Sequence, residues 1–187
     1  MIAGDALPTL EAPRVRLRAL AERDVDALFA IFSDEVMMRY WSTLPMKDRA
    51  EAEEYLARIR TGFAVKSLFQ WGVERKEDGE ILGTCTLFSI HRDSMRAELG
   101  YCLRSAHWRK GYMSEALAAL IDYAFATLKL RRLEADVDPG NDGSVRLLER
   151  LGFTREGLLS ERWDVGGQIG DTAFFGLLAR EWRGRPA

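Results

Sequence analysis

The chain has 187 residues, 47% hydrophobic and 30% charged, a balance that suits one folded domain with its own core and excludes a largely disordered chain. A formal net charge of -2 supplies no overall positive field for nucleic acid. No apolar run approaches the roughly 18 residues of a membrane span, and residues 1–12, with Asp5 and Glu11, lack a basic start followed by an apolar stretch. A cytoplasmic protein that meets neither nucleic acid nor membrane is expected.

A single domain over 1–187 is expected, with residues 1–12 as a flexible or edge segment. Arg14 to Leu20 alternates basic and apolar residues as a half-buried strand does. Val25, Leu28, Phe29 and Phe32 recur at helical spacing over Asp24 to Phe32. A second helix is expected from Lys47 or Asp48 to Ala64, connected through Ser42 to Met46 with Pro45. Met37, Met38, Tyr40 and Trp41 cluster between the helices and read as core before pocket lining.

Phe69 to Glu74 and Ile81 to Ile90 read as strands joined by the polar turn Lys76-Glu77-Asp78-Gly79-Glu80. Arg96 to Leu103 is a further strand, and from Ser114 onward Leu117, Leu120, Ile121, Ala124, Phe125 and Leu128 mark one helical face. Leu133, Ala135 and Val137 alternate in a strand ending at Asp138-Pro139-Gly140; Val145, Leu147, Leu148 and Leu151 then form a helical stripe stopped by Gly152. Phe153 to Glu161 and Ile169 to Leu178 read as strands around a turn at Gly166-Gly167. Hairpins give antiparallel pairs and the strand-helix-strand unit a parallel one. The expected class is α+β (mixed α/β), with a mostly antiparallel sheet of about six or seven strands and about four helices on its faces.

Cys85 and Cys102 fall in apolar strand-like runs and read as buried thiols, while His91 and His107 lie in polar connecting segments without metal-ligand spacing. No metal site is expected. The segment Trp108 to Ser114 is different. A helix begun from this loop leaves its first N–H groups unpaired at a partially positive end, Gly111 removes a side chain where backbone must approach a ligand, and Arg109 and Lys110 add charge, which suits a pyrophosphate. A glycine-bearing loop with two solvated cations is the plain alternative. Asn141, ahead of the next helix, reads either as its cap or as a ligand contact.

Taken in order, several runs resemble the GNAT acyltransferase superfamily, in particular its ribosomal-protein N-acetyltransferase-like branch, over nearly the whole chain. They are Glu98-Leu99-Gly100-Tyr101, Trp108-x-Lys110-Gly111-Tyr112-x-x-Glu115-Ala116-Leu117, Asn141-x-x-Ser144, and Leu151-Gly152-Phe153 with Glu156-Gly157. Arg16-Leu17-Arg18, Asp24 and Asp171 extend the likeness. The resemblance implies a sheet splayed between the strand at Glu98 to Leu103 and the strand at Leu133 to Val137, with acetyl-CoA in the gap and no metal. It implies that Tyr101, Cys102 and Leu103 pair with the pantetheine through backbone groups. Trp108, Arg109, Lys110, Gly111, Tyr112, Met113 and Ser114 would surround the pyrophosphate, and Asn141 and Ser144 would lie along the arm near the sulfur. The broader superfamily favours Arg or Gln at Trp108, where an aromatic is usual for this branch, Gly at Arg109, and Gly or Ala at Met113, so the pose of the cofactor is expected to differ in detail.

The activity implied is transfer of an acetyl group from acetyl-CoA to a primary amine, either a protein N-terminus or a small molecule. Such an amine is mostly protonated at neutral pH, so direct attack needs a proton acceptor, a polarised carbonyl and a proton for the departing thiolate. Glu98 is the candidate base through a water, Ser144 beside Asn141 the candidate donor to sulfur, and the N–H near Leu103 the candidate oxyanion donor. Cys102 is disfavoured as a nucleophile, because an apolar strand raises a thiol's pKa. A homodimer is compatible with these features. The competing reading is an acyl-CoA sensor or interaction module without turnover; a nucleotide-binding protein is opposed by the lack of a Gly-x-x-x-x-Gly-Lys-Ser/Thr run.

Overall fold

Burial of Val15 and Leu17 on one side of outward Arg16 sets strand β2 (Val15–Arg18) into a sheet. The same logic carries the chain through the rest of it. The computed structural model describes residues 6–184, and expectations for 1–5 and 185–187 lie outside them. Within these residues one eight-stranded sheet runs β1-β2-β3-β4-β5-β6-β8-β7. Its other strands are β1 (Leu10–Glu11), β3 (Phe69–Arg75), β4 (Ile81–His91), β5 (Arg96–Leu103), β6 (Arg132–Val137), β7 (Thr154–Val165) and β8 (Gln168–Leu178). Every neighbouring pair is antiparallel except β5 with β6.

Five α-helices cover the faces: α1 (Val25–Phe32), α2 (Glu35–Met38), α3 (Arg49–Ala64), α4 (Tyr112–Asp122) and α5 (Asp142–Arg150). Trp71, Leu87, Leu99, Leu133 and Phe175 of the sheet bury one face against Leu117, Leu120 and Ile121 of α4 and Leu148 of α5. On the other face Cys102 and Ile81 pack with Leu28 and Ile31 of α1, Met37 and Met38 of α2, and Leu56 of α3. Removal of so much apolar surface from water is the main source of stability. The Met37, Met38 and Trp41 cluster is core, with Trp41 edge-on to Phe32 at 5.7 Å between ring centroids.

The structure adds a strand and a helix to the sequence expectation, for local reasons. Two-residue β1, the described part of the edge segment, is too short to show alternation. Four-residue α2 starts from Asp34, whose Oδ1 accepts from the N–H groups of Val36 and Met37. α4 begins at Tyr112, two residues before Ser114, and continues into a π-helical turn over Tyr123–Thr127. His107, expected in a polar connection, is buried in a 3-10 turn over Ser105–His107. The Arg16-Leu17-Arg18 run with Asp24 is a fastening between β2, β3 and α1. Arg18 grips Asp24 through both Nη atoms, at 2.7 and 2.8 Å, and Glu74 through Nε.

Candidate active site

The sheet parts immediately after Glu98. β5 and β6 are bridged at Arg96↔Arg132, Ala97↔Leu133 and Glu98↔Glu134, and no further. β5 stays on β4 to its end, with Leu103 opposite Gly83 and the Arg104 N–H donating to the Leu82 carbonyl at 2.9 Å. Alternate residues in an antiparallel ladder turn their peptide groups the same way. Gly100 and Cys102 therefore face β4, whereas Leu99, Tyr101 and Leu103 face the side β6 has left. β6 is held by β8, and the Ala179 N–H donates to the Arg131 carbonyl at 3.0 Å, so Glu134 and Asp136 turn their peptide groups toward β5. The result is a wedge edged by backbone donors and acceptors that need partners. An extended amide chain such as pantetheine fits that need.

Cys102 does not share this edge. Its side chain is buried, Sγ lies 3.2 Å from Thr84 Oγ1, and burial pushes the thiol up to about 11, only partly offset by Thr84. A thiol in that state is a poor nucleophile at neutral pH.

At the open end of the wedge, β5 turns through Trp108 to Gly111 into α4. The Trp108 indole N–H donates to the Leu103 carbonyl at 2.6 Å and ties the loop to the strand. Arg109 and Gly111, with φ of 61° and 85°, both lie in the left-handed region, and Gly111 becomes the N-cap without a side-chain cap. Among the described residues no side-chain hydrogen bond serves the first N–H groups, those of Tyr112, Met113 and Ser114. Arg109 and Lys110 are exposed beside them, with no ion-pair partner among the described residues. The Met113 side chain turns into the core, its Sδ 3.5 Å from Cys85 Sγ, so its bulk leaves the helix start open. Residues and charge here fit a pyrophosphate.

Glu98 is half-buried at the apex of the wedge. Its carboxyl is pushed above the ordinary value chiefly by burial, with the like charges of Asp136 and Glu134 adding to it and Ser89 and Arg96 opposing. Arg96 does not take Glu98 as a salt-bridge partner: its Nη1 binds Glu134 at 2.5 Å, and Arg132 Nε binds the same carboxylate at 2.7 Å. Such a carboxylate takes up a proton more readily than an exposed one. Asn141 acts as the cap of α5, its Oδ1 accepting from the Ser144 N–H at 3.1 Å. Tyr101 reaches Ser144 from across the wedge, its hydroxyl 3.5 Å from the Ser144 carbonyl oxygen. Side chains alternate along β5. Glu98 thus points to the α1–α3 face and Tyr101 to the α4–α5 face, with no hydrogen bond between Glu98 and Ser144 among the described residues.

Three participants escaped the sequence reading. Arg14 and Glu115 pair at 2.6 Å across 101 residues, directly behind the Lys110-Gly111 peptide. Asp136 sits half-buried on β6 two residues past Glu134, its carboxyl pushed up by burial, with Arg162 opposing. The apolar alternation of Leu133, Ala135 and Val137 puts Asp136 on the other face of β6 and gives no sign of its burial.

Comparison with known proteins agrees with this geometry. Residues 14–154 match the acetyltransferase (GNAT) domain. The chain is 36% identical over 178 residues to an uncharacterised N-acetyltransferase, p20, of Bacillus licheniformis, covering 95% of this chain and all of that one. It is 28% identical over 180 residues to the [ribosomal protein uS5]-alanine N-acetyltransferase of Escherichia coli, covering 92% of each. Mycobacterium smegmatis RimJ in complex with CoA-disulfide superposes with a TM-score of 0.87 at 25% identity, over 96% of this chain and 91% of that one. The wedge, the uncapped start of α4 and these relatives lead to one conclusion: the chain belongs to the GNAT family and is an N-acetyltransferase.

Proposed function

We propose that the chain moves an acetyl group from acetyl-CoA directly to a primary amine, and that the amine is a protein N-terminus. The observation that carries this reading is the parting of the sheet right after Glu98, beside a helix start with open N–H groups and two cations without an ion-pair partner among the described residues. The ribosomal-protein acceptor in the name of the Escherichia coli relative favours a protein amine and a cytoplasmic site of action.

Acetyl-CoA, when bound, supplies an acyl group on a good leaving sulfur. The first turn of α4 with Arg109 and Lys110 holds its pyrophosphate, and the peptide groups of Tyr101 and Leu103 orient its arm. Glu98 takes the proton of the attacking amine through a water, its raised pKa suiting a base that must also release that proton. The Leu99 N–H, on the open edge of β5 beside Glu98, is the donor within reach of the oxyanion, whereas Leu103, expected in that role, lies about 16 Å along the strand from Glu98. Ser144, positioned by Asn141 and Tyr101, hydrogen-bonds the departing sulfur. Cys102 takes no part, so no acyl-enzyme forms.

The test is release of free CoA thiol with a panel of amines: peptides with Ala, Ser or Met N-termini, polyamines and amino sugars, with products identified by mass. Thiol release with a peptide and a mass gain on its N-terminus is expected. Turnover with polyamines alone would refute the protein acceptor, and tight binding of acetyl-CoA without thiol release from any amine would favour the sensor reading.

A further inference from the structure

We infer that Arg14 is a positioning residue of the cofactor loop: it neutralises Glu115 and orients the Lys110-Gly111 peptide, so that the first turn of α4 presents open N–H groups and net positive charge to phosphate. This rests on the reading of that turn as the pyrophosphate site.

Arg14 lies just ahead of β2, and the fold brings it against the opening of α4. Its Nε donates to Glu115 Oε1 at 2.6 Å and its backbone N–H to Glu115 Oε2 at 2.8 Å, so one residue occupies both oxygens of that carboxylate. Its Nη2 donates to the Lys110 carbonyl at 2.8 Å, and its guanidinium lies 4.8 Å from the centre of the Tyr112 ring. The same Nη2 would stand 2.9 Å from a Cβ on Gly111. The guanidinium therefore seats against the turn that the left-handed Gly111 creates.

Two consequences follow from charge and geometry. Glu115 is in the first turn of α4, where the helix field favours a negative charge. That field would also make it a competitor of any incoming anion, because an unpaired carboxylate there repels phosphate. Arg14 cancels this charge without covering the N–H groups of Tyr112 to Ser114. Next, a trans peptide holds N–H antiparallel to its C=O. A carbonyl of Lys110 bound toward Arg14 fixes the Gly111 N–H in the opposite sense. The Arg14 side chain is 52% exposed and that of Glu115 18%, and a pair with one partner half in water contributes modestly to stability. Its effect falls on the loop it orients.

The experiment compares Arg14→Met, Glu115→Gln, the double variant and Gly111→Glu by calorimetric titration with acetyl-CoA and by steady-state kinetics. Arg14→Met is expected to raise the Kd and KM for acetyl-CoA about three- to tenfold, the scale of one charge at a helix end. Its kcat and acceptor KM stay near wild type. Adding Glu115→Gln recovers most of the affinity, because the uncompensated charge is gone, and the deficit of Arg14→Met shrinks in high salt. Wild-type affinity in Arg14→Met overturns the inference, as does a double variant no tighter than the single one. Should Arg14→Met fail to fold, Glu115→Gln alone decides: equal or tighter binding supports neutralisation, and a threefold or greater loss, on the order of a surface ion pair, overturns it. If Gly111→Glu binds acetyl-CoA like wild type, the pyrophosphate reading itself fails; if only Arg14→Met does, that reading stands and the role of Arg14 falls.

Discussion

Replacing Gly111 by Ala tests the cofactor loop through its backbone. Gly111 has φ 85° and ψ -6° at the N-cap of α4, a conformation that costs an L-residue about 1–2 kcal/mol. The added Cβ would also stand 2.9 Å from Arg14 Nη2, so the guanidinium has to shift and its bond to the Lys110 carbonyl loosens. That second effect is small, because the side chain is half in water. The strain must appear somewhere. If the free loop keeps its left-handed turn, the fold carries the cost; if it relaxes, acetyl-CoA binding has to restore the turn and affinity carries it. The losses in unfolding free energy, from urea denaturation, and in binding free energy, from calorimetric titration, should therefore sum to about 1–2 kcal/mol. Borne wholly by binding, this raises Kd about 5- to 30-fold. Borne wholly by the fold, it lowers Tm by about 2–8 °C. An Ala variant unchanged in both measurements would show that the loop does not need its left-handed residue.

Ser144→Ala should lower kcat by about tenfold, the low side of a proton-donor contribution, and leave the Kd for acetyl-CoA near wild type; a change in Kd alone would contradict its assignment to the leaving sulfur. The acid limb of the kcat/KM profile should lie above the ordinary carboxylate range, because Glu98 must be ionised to act and its pKa is raised by burial, then by Asp136 and Glu134. Asp136→Asn removes one like charge, so the limb should move to lower pH, and an unmoved limb would separate it from Glu98. Arg18→Met should cost about 3–5 kcal/mol in urea denaturation, because Asp24 is left buried without a guanidinium and Glu74 keeps only Arg16. Burial works against ionisation of both carboxyls, but hydrogen bonds from Arg18, joined by Arg16 at Glu74 and the Ala21 N–H at Asp24, outweigh it and hold both below their ordinary values. The stability they give is present above the ordinary carboxylate range and lost as pH falls through the lowered values, a loss that should be smaller in Arg18→Met.

Local pattern accounts for what was legible in the sequence. The apolar periods around Leu117, Leu148 and Val15 name the faces that bury, and Gly111 after two cations announces a helix start open to an anion. The splay between β5 and β6 came from resemblance: nothing in Glu98 or Glu134 alone says that pairing ends there. Asn141 reads from the sequence as a cap or a ligand contact, and its bond to the Ser144 N–H shows the cap. Contacts set by the tertiary path stayed hidden. Arg14 and Glu115 meet only because β2 lies beside α4 in space, and the burial of His107 arises from a three-residue turn with no period of its own. Cys102 was rightly read as a buried thiol, whereas its peptide groups proved to face β4, a consequence of ladder phase that composition does not carry.

In the proposed mechanism the carboxylate at the parting of the sheet takes the proton of the attacking amine. Glu98→Gln keeps the shape and removes the base, so its kcat for peptide acetylation, followed by thiol release, is the most direct test. A fall of about 10²- to 10⁴-fold is predicted, with the acetyl-CoA Kd unchanged and the acid limb of the pH profile lost. Turnover within a few-fold of wild type, with the acid limb intact, would show that the proton leaves by another route.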